Sequence, residues 1–107
     1  VGFLLLLFFL YNIMKELKEY FSGRGQVKDY VFNQISKTKH AFLYEVKNND
    51  AIHYEIFKRK ENAMYECISY PTDKAFGVWA WTTLSLQRAK EILKDIEFNE
   101  NLKDGGE

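Results

Sequence analysis

The chain has 107 residues, 47% of them hydrophobic and 17% aromatic, enough to build one core and too few for two. Its formal net charge of zero leaves no long-range pull on nucleic acid by the molecule as a whole. Its single cysteine, Cys67, excludes an internal disulfide and makes a reducing, cytoplasmic setting the simpler expectation.

The first stretch, "VGFLLLLFFLYNIM", is apolar almost throughout. Its continuous apolar part is about a dozen residues, short of the ~20 that span a bilayer. It has neither the basic start nor the small-residue cleavage site of a signal peptide. Met14 precedes a sensible amphipathic segment, so residues 1–13 read as a leader translated upstream of the natural start. The competing reading is a truncated membrane anchor. Lys15 and Lys18 then place the body on the cytoplasmic side, and only in that case is a membrane a partner.

Leu10, Ile13, Met14, Leu17, Tyr20 and Phe21 recur at three- and four-residue spacing, which predicts an N-terminal amphipathic helix. Lys15 and Glu19 sit one turn apart on its wet side. Ser22, Gly23 and Gly25 are expected to end it.

From Val27 the period changes to two. Strands are predicted over 27–36, 40–47, 51–58, 64–70 and 76–82, joined by short polar turns such as "KNNDA" and "KRKENA". None of these connections has room for a crossover helix, so the strands should form an antiparallel meander. Ser85 then offers an N-cap for a helix over 86–98, with Leu86, Ala89, Ile92, Leu93 and Ile96 as its apolar stripe. Residues 99–107 read as a polar, loose tail. The expected fold is α+β, a single domain over 14–98: a four- to five-stranded antiparallel sheet with an N-terminal and a C-terminal helix.

A three-residue turn at 48–50 would set Tyr44 against Tyr54 and Glu45 against His53. Continuing that register sets Ile56 against Ile68 and Ile68 against Val78. Even-numbered positions from Phe42 through Ala80 then form a nearly continuous apolar face, the one expected beneath the C-terminal helix. The odd-numbered face gathers Phe57, Tyr65, Cys67, Trp79 and Trp81, with Tyr65 opposite Trp81 and Cys67 opposite Trp79. Each tryptophan removes roughly 150–250 Å² from water when covered, so the pair is either core or contact surface. A small second core beneath the N-terminal helix is the plainer account. A protein-binding face made of Phe57, Tyr65, Trp79 and Trp81 is the functional one.

Candidate chemistry is sparse. Cys67, His53 and Glu55 have the residue types of a nucleophile, base and orienting group. The expected register holds Cys67 four residues from His53, ~13 Å at ~3.3 Å per residue, and buries the thiol. Glu45 and His53 would make a cross-strand pair of the sort common on surfaces. Two histidines and one cysteine lack the spacing of a zinc site, and no cofactor is expected. "SGRGQ" lacks the Gly-Lys-Ser/Thr ending of a P-loop. "KAFGVWAW" echoes the aromatic strand of an RRM, but a meander lacks that fold's intervening helices.

Charge is unevenly spread: residues 14–60 hold ten Lys/Arg against six Asp/Glu, and residues 61–107 five against nine. Alternate turns of a meander lie at one end of the sheet. Lys37, Lys39 and His40 should therefore neighbour Lys58, Arg59 and Lys60 in a basic rim able to touch phosphates.

The stretches "GRGQVKDYVF", "AFLYEV", "IHYEIFKRKEN" and "YPTDKAFGVWAW" together resemble a group of small uncharacterised proteins of gut Bacteroidales bacteria and of their phages and mobile elements. The resemblance covers about Met14 to Ile96. It implies a cytoplasmic accessory protein rather than a housekeeping enzyme, and brings no catalytic residue with it. The expected function is a non-enzymatic binding module, with a protein partner or a second copy at the Trp79/Trp81 face. Nucleic acid at the basic rim is the alternative.

Overall fold

A computed structural model describes residues 15–105. Five antiparallel strands form one sheet in the order β1-β2-β3-β4-β7. They are β1 (Tyr20–Ser22), β2 (Tyr30–Lys37), β3 (Ala41–Asn48), β4 (Ala51–Lys58) and β7 (Ala80–Thr83). Two short strands between them, β5 (Glu61–Asn62) and β6 (Cys67–Ile68), make a separate hairpin. Among the described residues, one long helix, α1 (Leu86–Gly105), follows the last strand.

The sheet has the expected class, but its first strand replaces an expected helix. Among the described residues, the amino-terminal end runs extended: Lys15 bridges to Cys67, and β1 pairs with β2 through Phe21↔Phe32. The rest of the predicted helix, and the leader, lie outside the described residues. Leu17 and Phe21 both pack on the aromatic core, as either conformation would allow, because residues four apart share a side in helix and strand alike. Tyr20 distinguishes them. It belongs to the apolar stripe of a helix, yet it lies 65% exposed on the opposite side of β1.

The glycines expected to stop that helix instead shape the turn into β2. Gly23 donates its N–H to Tyr30 O at 2.8 Å, and a Cβ there would stand 2.0 Å from the Val27 carbonyl oxygen. Only glycine permits that approach of backbone to backbone.

The β3–β4 hairpin decides which side chains share a face. Its turn has two residues, Asn49 and Asp50, with Asn48 paired to Ala51. Asn49 takes the left-handed backbone that tight hairpins use, with φ 57°. Tyr44 therefore opposes Glu55, Val46 opposes His53 and Phe42 opposes Phe57, one residue away from the expected register. Even positions of β3 now share a side with odd positions of β4.

Two cores result. One side of the sheet holds Phe21, Phe32, Phe42, Tyr44, Val46, Phe57 and Ala80, covered by Ile68, Tyr70, Phe76 and Trp79. The other holds Ala41, Leu43 and Ile56 beneath Ala89, Leu93 and Ile96 of α1, flanked by Tyr54 and Trp81. The helix thus lies on the face opposite Phe42, Tyr44 and Val46, correcting the even-face expectation.

The segment expected as a central strand over 64–70 lies outside the main sheet. β4 pairs directly with β7, through Ile56↔Trp81 and Phe57↔Ala80. Residues 61–79 loop over the aromatic face instead, with β5–β6, the left-handed Glu66 (φ 54°) and a 3-10 turn at Asp73–Ala75. Ile68 is buried as expected, whereas Val78 is 69% exposed.

The Ser85 cap forms: its hydroxyl accepts from the Arg88 N–H at 3.1 Å. The helix then runs past the expected end at 98, and most of the supposed loose tail is helical. Its last buried apolar residue is Ile96, with Phe98 and Leu102 66% and 58% exposed. Charged contacts from Glu97, Glu100 and Asp104 carry the remaining turns.

Among the described residues, no helix is long and apolar enough to cross a membrane.

Candidate functional site

The four residues of the expected protein-binding face do not share a face. Phe57 is fully buried, stacked on Phe42 at 5.5 Å and on Tyr44 at 5.7 Å between ring centroids. Tyr65 is exposed in the turn between β5 and β6. Trp79 packs edge-on to Phe57 at 6.5 Å in the aromatic core, with the Lys60 ammonium 5.6 Å from its ring centre. Trp81 points to the other side of the sheet, toward α1. The supposed Tyr65–Trp81 and Cys67–Trp79 neighbours are not paired. Cys67 sits on β6, opposite Asn62.

What remains of that face is Trp81. It lines a groove of about 640 Å³ between β7 and α1. Ile92 and Leu102 give the groove apolar walls, and Lys58, Arg88 and Asp95 stand around them. β7 is also an edge of the sheet. The Lys58 N–H donates to Trp79 O at 2.9 Å, so the alternating backbone groups of Ala80 and Thr82 face outward. Ala80 O is taken by the Gly77 N–H at 2.7 Å. Among the described residues, the outward N–H and C=O of Thr82 meet no partner. Val78 and Leu84, 69% and 81% exposed, flank this short edge.

The basic rim assembles where the turns predicted it, since the Arg59 N–H reaches His40 O at 2.7 Å. Lys37, Lys39, Lys58 and Arg59, however, are matched by acids from distant parts of the chain. Lys37 Nζ lies 3.0 Å from Glu16, Lys39 Nζ 3.6 Å from Asp104, and Lys58 Nζ 3.3 Å from Glu100. Arg59 holds Glu16 with two parallel bonds, one of them 2.8 Å, and its Nε is 3.8 Å from Glu61. The bonds from Arg59, reinforced by Lys37, hold the Glu16 carboxyl at about 2, well below the usual carboxylate range.

His40 is the centre of a further cluster. Its Nδ1 lies 3.2 Å from Glu97 Oε1 and its Nε2 2.5 Å from Asp104 Oδ2. Its backbone N–H and the Thr38 hydroxyl both donate to Glu97 Oε2, at 2.9 and 2.6 Å. Burial opposes charge on the ring, but the bonds to Asp104 and Glu97 outweigh it and raise the imidazole above its ordinary 6.5. Burial likewise works against charge on Glu97, and Thr38 and His40 reverse it, leaving that carboxyl lowered.

The expected Glu45–His53 pair does not form, because the one-residue register change sends the two to opposite sides of the sheet. His53 instead places Nε2 3.0 Å from Glu55 Oε2 on its own strand, and the Tyr70 hydroxyl donates to Glu55 Oε1. Burial pushes the Glu55 carboxyl up, opposed by His53. Both carboxylate oxygens are occupied, and the bond from Tyr70 ties the covering segment to the sheet. Among the described residues, no group of three His, Cys, Asp or Glu is arranged to hold a metal ion.

The residues missed from sequence are the acids of the rim and the wall of the Trp81 groove. "EFNENLKD" carries a legible signal, since Glu97, Glu100 and Asp104 recur at helical spacing. No protein family, curated protein or solved structure matches the chain.

Proposed function

We propose that this protein is a non-enzymatic binding module that self-associates along β7, a second copy adding its own β7 antiparallel beside Thr82. The observation that carries this reading is the open edge: an outward-facing Thr82 backbone, between exposed Val78 and Leu84, beside the Trp81 groove. Strand addition supplies main-chain hydrogen bonds, and pockets flanking the strand supply side-chain selectivity. A two-fold axis at the edge makes the contact self-complementary without further surface. Aromatic anchors in such pockets carry a large share of binding energy.

Light scattering on the full chain, from micromolar to millimolar concentration, tests this. A monomer–dimer equilibrium is expected, lost in Leu84→Lys and in Thr82→Pro, which removes the outward N–H while leaving the β4 ladder intact. A chain that stays monomeric throughout, or variants that dimerise as well as the parent, would sink the reading.

Nucleic acid at Lys37, Lys39, Lys58, Arg59 and Lys60 is less well supported. Phosphates would have to displace Glu16, Glu61, Glu100 and Asp104 from Lys37, Lys39, Lys58 and Arg59. A gel shift with DNA that weakens steeply with added salt would reverse that ranking.

A further inference from the structure

The last turns of α1 raise a question of their own, because nothing apolar buries them. After Ile96, contact with the sheet passes through Glu97, Glu100 and Asp104, and the groove residues Asn99, Leu102 and Lys103 stand on those same turns. His40 meets Glu97 through one ring nitrogen and Asp104 through the other. A neutral imidazole carries one N–H, so it can donate to one of these carboxylates and not to both. Only the imidazolium satisfies the pair as found.

We propose that His40 is a proton-operated clasp that holds the end of α1, and with it one wall of the Trp81 groove, against the sheet. Losing the ring proton leaves one carboxylate facing a lone pair, so the terminal turns loosen and the groove opens. The link to binding depends on the dimerisation reading above, whereas the clasp itself does not.

The charged neighbours set the direction. From α1, Glu97 and Asp104 favour the imidazolium, while Glu100 is engaged by Lys58 at 3.3 Å and by Lys103 at 3.1 Å. From the end of β4 and beyond, Lys58, Arg59 and Lys60 oppose it and Glu61 favours it, and Lys39 on the same turn shares Asp104. The carboxylates in direct contact prevail, and His40 sits above its ordinary 6.5. A group raised in the fold contributes fully below its unfolded value and loses that contribution as pH rises through the folded one. Glu97 is lowered, so its share is present above 4.5 and lost as pH falls. The clasp is therefore complete between about 4.5 and 6.5 and releases on the alkaline side.

The test uses the full chain alone. Amide exchange of residues 98–104, corrected for intrinsic pH dependence and compared with residues 88–94, is followed from acid to alkaline pH by NMR beside the His40 ring signal. Protection at 98–104 should fall about tenfold as His40 titrates, while 88–94 stay unchanged. In a Trp79→Phe background, acrylamide quenching of Trp81 should rise over the same range. His40→Gln and Asp104→Ala should lack the transition and resemble the alkaline parent at every pH. Protection independent of pH, or a transition surviving in both variants, overturns the clasp. Protection lost with Trp81 quenching unchanged overturns its hold on the groove. A released clasp in a chain that never dimerises leaves the clasp standing and removes only the binding reading.

Discussion

Replacing Phe57 by alanine separates a surface aromatic from a core one more sharply than any other change. The ring is fully buried, stacked against both Phe42 and Tyr44, with Tyr70 edge-on at 5.2 Å and Trp79 edge-on at 6.5 Å. Truncating a buried Phe costs about 3–5 kcal/mol, and the loss of ring contacts on several sides places this site in the upper half of that range. With a urea dependence of about 1.5 kcal/mol per molar, the unfolding midpoint should drop by roughly 3 M. Unfolding followed by circular dichroism and tryptophan emission reads this directly, with Trp79 reporting on the ring's own neighbourhood. Since domains of this size hold only about 5–15 kcal/mol, Phe57→Leu serves as a folded companion expected to lose about 1.5 kcal/mol. A surface residue would shift stability by no more than about 0.5 kcal/mol. A Phe57→Ala midpoint within that margin of the parent would refute the buried assignment, and with it the two-residue turn that places Phe57 opposite Phe42.

Three other outcomes follow from the geometry. Glu16→Gln should cost about 1 kcal/mol at neutral pH, the modest figure appropriate to a partly exposed pair. Glu16 is lowered from 4.5 to about 2, so its contribution is present above 4.5 and lost as pH falls toward 2. Parent and variant urea curves should therefore converge in acid, and a constant gap would contradict the ion pair. Glu55 is raised by burial, so its contribution is full below 4.5 and is lost as pH rises through the folded value. Glu55→Gln, which still accepts from Tyr70, should be more stable than the parent at neutral pH and level with it in acid, as thermal unfolding at two pH values would show. Asn49→Val should lose about 1–2 kcal/mol because a β-branched residue resists φ 57°, whereas Asn49→Gly should stay within a few tenths. Equal melting temperatures for the two would count against the left-handed turn.

Much of the local structure is legible in the sequence. The alternation in "AFLYEV" and "AIHYEIF" marks two long strands, and their short connection makes them antiparallel. Ser85, followed by an apolar stripe at helical spacing, marks the start of α1. The neighbouring turns Lys37–His40 and Lys58–Lys60 follow from the hairpin itself. These features depend on residues close together in the chain, where backbone sterics and periodicity act directly.

The long-range choices belong to the tertiary structure. A two-residue turn instead of three inverts the parity of β4 against β3, because side chains alternate with period two. That single count brings Phe57 onto the same side as Phe42 and Tyr44 and parts His53 from Glu45. Leu17 and Phe21 fit a helix and a strand equally well by spacing, and the conformation is decided by the free edge of β2 and the Phe32 ring, stacked on Phe21 at 4.7 Å. The rim looked basic because its acids lie far away in sequence, at Glu16 and on the last turns of α1. Local patterning thus determined where the chain is extended and where it coils. Which faces meet, and which charges neutralise one another, depended on contacts between segments tens of residues apart, to which a periodicity of two or 3.6 residues carries no information.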